Sequence, residues 1–135
     1  MRRAAIPLAF ALAVAASPSR GQQGDAEGAS LVCDRAADIG RVRCEVEARV
    51  EPGATISWGD VVLVRVPPFA AALRGRIGSH EASVHEARTW RWTFALVARA
   101  KGSGALEGRV RIVVCRETGC APREIEVSGK LDVGP

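Results

Sequence analysis

The fold of this chain is decided by residues 42–50, which read VRCEVEARV. Apolar and charged side chains alternate along this stretch with a period of two. Such alternation is typical of a β-strand that buries one face and exposes the other. The pattern therefore predicts a half-buried strand. Its apolar face consists of Val42, Cys44, Val46, Ala48 and Val50, and its charged face of Arg43, Glu45, Glu47 and Arg49.

Similar strand patterns recur after residue 50. Residues 55–58 and 61–66 predict two strands separated by a turn at Gly59-Asp60, and the alternation returns at residues 90–99, 109–115 and 124–133. Turns containing Gly or Pro separate these runs, and helical periodicity is almost absent. We therefore predict an all-β chain that folds as an antiparallel immunoglobulin-like β-sandwich of about seven to nine strands.

Two segments and the tryptophans follow no such clear pattern. Residues 69–73 predict one helical turn or a loop, and residues 75–88 a long loop with at most one weak strand. Because the chain has three Trp and three Phe, we expect Trp58, Trp90 and Trp92 to form core rather than a ligand platform.

The N-terminal residues predict export. A positively charged start, Met1-Arg2-Arg3, precedes an apolar run at residues 4–16 that ends in the small residues of a cleavage site. We predict a signal peptide at residues 1–16, with cleavage as late as about residue 20, a flexible leader at residues 17–30 and a single β-sandwich domain at residues 31–135. The mature protein is then periplasmic or secreted, without stable membrane insertion; an uncleaved anchor is the alternative.

The charge of the chain does not favour nucleic-acid binding. Removal of Arg2 and Arg3 with the signal peptide lowers the formal net charge from +4 to +2. The remaining arginines alternate with glutamates and form no basic stripe interleaved with aromatic side chains. We therefore predict no nucleic-acid partner.

The four cysteines fall into two local pairs. Cys44 lies on the apolar face of its strand and Cys33 shortly before it, so this pair predicts a buried structural disulfide. Cys115 and Cys120 flank a short turn between two strand patterns, which brings two cysteines within bonding range. A disulfide that closes so short a loop stabilises the folded protein by about 2 kcal/mol or less. A structural staple, a reversible redox pair and metal or partner binding all fit the second pair.

Residues 106–122, LEGRVRIVVCRETGCAP, form a strand that runs into Cys115, followed by a short turn, Cys120 and Pro122. This order resembles the N-terminal periplasmic domain of the thiol:disulfide interchange protein DsbD, an immunoglobulin-like sandwich. The resemblance implies that Cys115 and Cys120 are a redox pair, which takes electrons from a thioredoxin-like module and passes them to periplasmic thiol proteins through mixed disulfides. The chain departs from many members at Arg123, where they have a second proline.

The charged residues next to the second cysteine pair give no net prediction for thiol reactivity. Arg116 and Arg123 lower the pKa of a nearby thiol, whereas Glu117 and Glu124 raise it. The histidines, His80 and His85, are spaced for neither one helix face nor one strand face and are predicted to be solvated loop residues. We predict no metal-binding and no cofactor-binding residues.

These observations favour a thiol:disulfide interchange domain in which Cys115 and Cys120 react with periplasmic thiol or thioredoxin-like proteins. The sequence does not say which cysteine attacks and which resolves. The alternative is a non-catalytic immunoglobulin-like binding or structural module of the cell envelope, in which both disulfides are structural. Oligomeric state is left open.

Overall fold

The computed structural model of the chain describes residues 27–135. Within this range the polypeptide forms nine β-strands and one short 3₁₀ turn, Ser79–Glu81, between the fifth and sixth strands. The strands are β1 Gly28–Cys33, β2 Gly40–Arg49, β3 Thr55–Arg65, β4 Ala70–Ala72, β5 Arg76–Ile77, β6 Ala82–His85, β7 Thr89–Ala98, β8 Gly102–Arg116 and β9 Gly119–Val133.

The strands pair in two sheets. The first sheet has the order β1-β2-β7-β4, with β6 also paired to β7, and the second has the order β5-β3-β8-β9. All strand pairs are antiparallel. This order matches the ABED and CFG sheets of an immunoglobulin constant-type domain, with β5 as an additional edge strand next to β3. The predicted immunoglobulin-like sandwich is confirmed.

The core lies between the inner faces of the two sheets. Strand β2 buries the alternate residues that the sequence pattern assigns to its apolar face. Trp90 and Trp92 on β7 are the largest fully buried side chains, as expected for core residues. The second sheet contributes Ile56, Val61, Leu106, Val110, Ile112, Val114, Val127, Leu131 and Val133.

One edge of the sandwich is closed by β1, which packs against β9. At this contact Gly129 lies so near to β1 that a Cβ atom would be 2.6 Å from the carbonyl oxygen of Leu31. Shortly after β1, Ala36 forms an isolated bridge with Val133, and the Gly134 amide donates to the Ala36 carbonyl at 2.8 Å. A residue without a side chain at position 129 therefore lets the two sheets meet.

The structure differs from the sequence-based prediction in three segments. The turn predicted at Gly59-Asp60 is wrong, because both residues lie inside the continuous strand β3. Residues 69–73 contain strand β4 instead of a helical turn, paired with the end of β7. Residues 75–88 contain two short strands, β5 and β6, each paired with a longer neighbour. These short strands are ordered by tertiary pairing, which local sequence does not encode.

The first strand begins at Gly28, inside the segment predicted as the leader at residues 17–30. Pairing with the end of β2, where Gly28 lies opposite Arg49, extends the strand beyond its apolar residues. The predicted signal peptide at residues 1–16 and the remainder of the leader up to residue 26 lie outside the described residues. Between residues 27 and 135, no helix has the length and apolar character needed to cross a membrane.

Candidate functional site

The disulfide between Cys115 and Cys120 lies at the end of the β8–β9 hairpin. The two cysteines are directly opposite each other in the ladder, with Cα atoms 4.0 Å apart. Gly119 supplies the positive φ of +132° that the tight connection requires. Cys120 is exposed and Cys115 half-buried, so solvent reaches this bond.

The other disulfide, between the half-buried Cys33 and the buried Cys44, is less accessible to solvent. These residues are also directly opposite, on β1 and β2, with Cα atoms 4.0 Å apart. Cys44 is fully buried and belongs to the hydrophobic core. Each disulfide therefore connects two strands of one sheet, unlike the inter-sheet bond of antibody domains.

Carboxylates neutralise the arginines next to the exposed disulfide. The Arg116 guanidinium donates a hydrogen bond to Glu51 and lies 3.7 Å from Glu27. The Nε atom of Arg123 lies 3.3 Å from a Glu27 carboxylate oxygen. The hydrogen bond to Glu51 is the main cause that raises the pKa of Arg116. The positive charge that the sequence places beside Cys115 and Cys120 is thus balanced, which removes its advantage for a thiolate.

A β-bulge in β3 creates an apolar surface beside this disulfide. Ile56 lies opposite Val114 and Trp58 opposite Val113, so that Ser57 is an extra residue in the ladder. The bulge reverses the alternation and turns Trp58 outward, where 37% of the residue is exposed. The expectation that Trp58 belongs to the core is therefore wrong.

Trp58 forms a row across the outer face of the second sheet with its cross-strand neighbours. Val113 lies next to it on β8, and Pro122 lies opposite Val113 on β9. We call Trp58, Val113 and Pro122 the apolar shelf. The next row toward the hairpin end contains Cys115 and Cys120. Exposed aromatic and apolar side chains thus adjoin the exposed disulfide.

Gly59, the residue after Trp58, faces the core and leaves room there for the ring of Trp92. A Cβ atom at Gly59 would lie 3.0 Å from the Ile112 side chain and 3.0 Å from the Trp92 ring. The indole of Trp92 therefore occupies the space that a side chain at position 59 would take. The bulge and the glycine together let Trp92 fill the core while Trp58 faces solvent.

The row on the other side of the shelf contains a buried carboxylate. Asp60 is fully buried, although it lies on the outer face of the sheet opposite Arg111. Its Oδ1 atom accepts a hydrogen bond from Nε of Arg111 at 2.8 Å, and its Oδ2 atom accepts one from Nε of Arg76 at 2.6 Å. Nη2 of Arg111 also donates to Oδ2. Burial by itself raises the pKa of Asp60, but the bonds and charges of the two arginines outweigh it and hold the pKa below its ordinary value.

A shallow cavity of about 460 Å³ covers part of this surface. It joins the apolar shelf to charged side chains of the neighbouring strands, so that a ligand there contacts both. Its lining consists of Trp58, Arg111, Ile112, Val113, Pro122, Arg123 and Glu124.

The histidines lie away from both disulfides. His80 is an exposed residue of the 3₁₀ turn, whereas the ring of His85 on β6 meets the ring of Trp90 edge-on, with centroids 3.7 Å apart. His85 is exposed, as predicted, but it belongs to a strand and not to a loop, and its ring packs on a core tryptophan.

Sequence reasoning found the cysteines but missed Asp60, Arg76 and the exposed position of Trp58. The Gly59-Asp60 dipeptide predicts a turn, since glycine followed by aspartate commonly marks one. A lone acidic residue between a tryptophan and a run of valines is the feature that points instead to a strand with a buried charge.

Comparisons with known proteins identify similar folds and no family. No protein-family model matches the chain, and no curated protein matches it. Among solved structures, the chain is similar to AggA, the major subunit of aggregative adherence fimbriae type I from Escherichia coli, with 8% identity over 81% of this chain and 96% of that one and a TM-score of 0.41. It is also similar to a PapD-like domain of human CEP192, with 9% identity over 95% and 100% of the chains and a TM-score of 0.38.

A bacterial hydrophobin, BslA, has 11% identity over 79% of this chain and 94% of that one, with a TM-score of 0.35. The strand order and the two disulfides place the chain in a class independently of these similarities. It is an immunoglobulin-like sandwich whose cysteines are all bonded in the described residues, and disulfides of this kind belong to extracytoplasmic proteins.

Proposed function

We propose that the protein is a non-catalytic immunoglobulin-like binding or structural module of the cell envelope, periplasmic or secreted, in which both disulfides are structural. The observation that carries this proposal is the position of the disulfides. Each one joins directly opposite residues of strands that are already hydrogen-bonded along a ladder. Each bond therefore reinforces a pairing of the fold.

The charges around the exposed disulfide support a structural role. Arg116 and Arg123 are engaged with Glu51 and Glu27. These ion pairs attach the hairpin to the residue before β1 and to the segment after β2. A thiolate at Cys115 or Cys120 would gain little from guanidinium groups that are already paired.

The reduction potential of the Cys115–Cys120 bond tests this proposal. We expect a value below about −300 mV, as in structural disulfides, whereas about −180 to −270 mV is typical of proteins that exchange. The measurement uses equilibration of the folded chain with dithiothreitol or glutathione buffers, followed by alkylation and mass analysis of the peptide that contains both cysteines. A value in the exchange range would contradict the structural role.

Thiol:disulfide interchange, as the DsbD resemblance implies, is the second candidate, and the exposure of Cys120 is what favours it. In this reaction a partner thiolate attacks the sulfur of Cys120, forms a mixed disulfide and releases Cys115 as a thiolate. A second partner thiol then cleaves the mixed disulfide, so that this chain leaves reduced by two electrons and the partner leaves oxidised. The partners are periplasmic thiol or thioredoxin-like proteins.

Trapping distinguishes the two candidates. The Cys115→Ala variant leaves Cys120 as a free thiol. The probe is a thioredoxin-like protein that lacks its resolving cysteine and whose attacking cysteine carries 5-thio-2-nitrobenzoate, so that attack by Cys120 forms the mixed disulfide and releases thionitrobenzoate. A mixed disulfide that forms through Cys120 within seconds supports interchange. The matched control is Cys33→Ala, which leaves the buried Cys44 and is expected to form none. If no mixed disulfide forms and the reduction potential is low, the result supports the structural module and contradicts interchange.

A further inference from the structure

We propose that the apolar shelf and the adjoining arginines, Arg76 and Arg111, bind an extended segment of a partner polypeptide in which an acidic side chain lies two positions from an apolar one. This inference deepens the proposed function and rests on it, because it names the ligand of the binding module. Three observations support it. Some hydrogen-bond donors of the two guanidinium groups have no acceptor, the two arginines share a single carboxylate, and the apolar shelf lies one row of side chains from Asp60 and Arg111.

The two guanidinium groups keep hydrogen-bond donors free although their orientation is fixed. Arg76 donates to Asp60 through Nε, and Arg111 donates through Nε and Nη2. Within residues 27–135, both Nη groups of Arg76 and Nη1 of Arg111 have no acceptor. The arginine side chains are 57% and 44% exposed, whereas the carboxylate beneath them is fully buried. Asp60 therefore holds the donors in place before a ligand arrives, which reduces the ordering cost of binding.

The charge of this group favours an anion. Two guanidinium groups share one carboxylate, which leaves one positive charge in excess. Two nearby arginines are already paired, since Arg109 lies 3.3 Å from Glu124 and Arg123 lies 3.3 Å from Glu27. Glu126, opposite Arg109 on β9, adds a further carboxylate on that side of the sheet. Glu124 is on β9, on the far side of β8 from Arg76 on β5, and it also contributes to the raised pKa of Arg111. An incoming carboxylate is thus best placed above Arg76, away from Glu124.

The spacing of the rows defines the ligand. Trp58 lies two residues from Asp60 on β3, and Val113 two residues from Arg111 on β8, so the shelf and the Asp60–Arg111 pair form successive rows. Arg76 lies opposite Val62, one row further along, and its guanidinium reaches back to Asp60. Such rows are about 6.6 Å apart, which is also the distance between side chains on one face of an extended segment. An apolar side chain on Trp58 and an acidic side chain two positions away therefore reach both rows at once. The cavity is a shallow surface that a continuous chain can cross.

Two blocked tripeptides test the proposal: N-acetyl-Phe-Gly-Asp-amide and its neutral analogue N-acetyl-Phe-Gly-Asn-amide. Each is titrated into the oxidised, ¹⁵N-labelled chain while the Nε1–H signal of Trp58 and the Nε–H signals of Arg76 and Arg111 are followed. We expect the acidic peptide to shift all three signals and to bind at least about three-fold more tightly than the neutral one. A third probe, N-acetyl-Phe with a free carboxylate, distinguishes a chain terminus from an acidic side chain.

Variants assign the effect to the site. Arg76→Gln is expected to lower the affinity for the acidic peptide to that for the neutral peptide and to leave the neutral peptide unaffected. Arg41→Gln, on the outer face of the other sheet, is the matched control and should change neither. Equal binding of the two tripeptides, no effect of Arg76→Gln, or tighter binding of the free carboxylate overturns the proposal. Shifts of the same signals on concentration without peptide overturn it too, because a second copy then occupies the surface. The proposed function itself is judged by the reduction potential.

Discussion

Trp58 lies opposite Val113 on the solvent side of the β3–β8 ladder, although Ile56, only two residues earlier, faces the core. Residues two apart in a regular strand share a face, so one extra residue, Ser57, separates these two environments. Bulges of this kind redirect side chains and occur beside functional sites. If the strand were regular here, with no bulge, Trp58 would share the inward face of Ile56, and the outer face of the sheet would lose the largest member of its apolar shelf.

Trp58→Ala is expected to cost little stability compared with Trp92→Ala. Trp92 is fully buried, and its replacement by alanine leaves a large cavity, which lowers the unfolding free energy by about 3 to 5 kcal/mol. Trp58 is 37% exposed and its removal opens no cavity in the core, so we expect a loss of about 1 kcal/mol or less. Urea unfolding followed by circular dichroism measures both. Equal losses for the two variants would mean that Trp58 packs as a core residue.

Asp60→Asn is expected to destabilise the protein by about 2 kcal/mol at pH 7, since it removes the buried charge that two arginines surround. The pKa of Asp60 is held below the ordinary value of 3.8 in the folded protein. The ionised carboxylate therefore contributes its full share of the unfolding free energy above pH 3.8. This contribution is lost as the pH falls below that value toward the pKa of the folded protein.

Urea titrations of the wild type and of Asp60→Asn at pH 7 and at successive values below 4 measure this difference. The difference in unfolding free energy between the two proteins should be largest at pH 7 and should decrease in acid. Asp34→Asn provides a control, since Asp34 is exposed. A difference in unfolding free energy that stays constant through the acid range would show that the pKa of Asp60 is the same in the folded and the unfolded protein, so that the two arginines do not favour its ionised form.

Gly129→Ala tests the closure of the sandwich by β1. A Cβ atom at position 129 would lie 2.6 Å from the carbonyl oxygen of Leu31, so one of the two backbones must move. We expect a loss of about 1 to 3 kcal/mol, the usual range for overpacking. Gly75→Ala is the matched control because nothing lies within 4 Å of the added atom. Equal stability of the two variants in urea would indicate that β1 does not pack on β9 in solution.

Much of the fold was predictable because alternation reports which face of a strand is buried. Val42 and Val46 on β2, and Val110 and Val114 on β8, are buried as their pattern indicates. The same logic failed at β3, where a bulge shifts the phase of the alternation and resembles a turn followed by a new strand. Local sequence does not distinguish these two cases, since the bulge is fixed by the partner strand.

The candidate site was predictable only where its residues are neighbours in sequence. Cys115 and Cys120 are five positions apart and were found together. Asp60 is 16 positions from Arg76 and 51 from Arg111, and only the pairing of β3 with its neighbours brings these charges into contact. The same holds for Glu27 and Glu51, which neutralise the arginines near the disulfide and change the expected thiol chemistry.

The two disulfides should be reduced in a fixed order, because their solvent access differs. Dithiothreitol reaches the exposed Cys120 in the folded protein, whereas Cys44 is fully buried and requires β1 to separate from β2. We expect the Cys115–Cys120 bond to open first, with a loss of about 2 kcal/mol of unfolding free energy, as the loop-length relation gives for so short a loop. Reduction of the Cys33–Cys44 bond should then follow the global unfolding rate and accelerate with added urea.

Alkylation at timed intervals and mass analysis of the cysteine peptides measure the order in which the two disulfides are reduced. Simultaneous loss of both bonds, or earlier loss of the Cys33–Cys44 bond, would show that the hairpin end is protected and that neither exchange nor selective reduction takes place there.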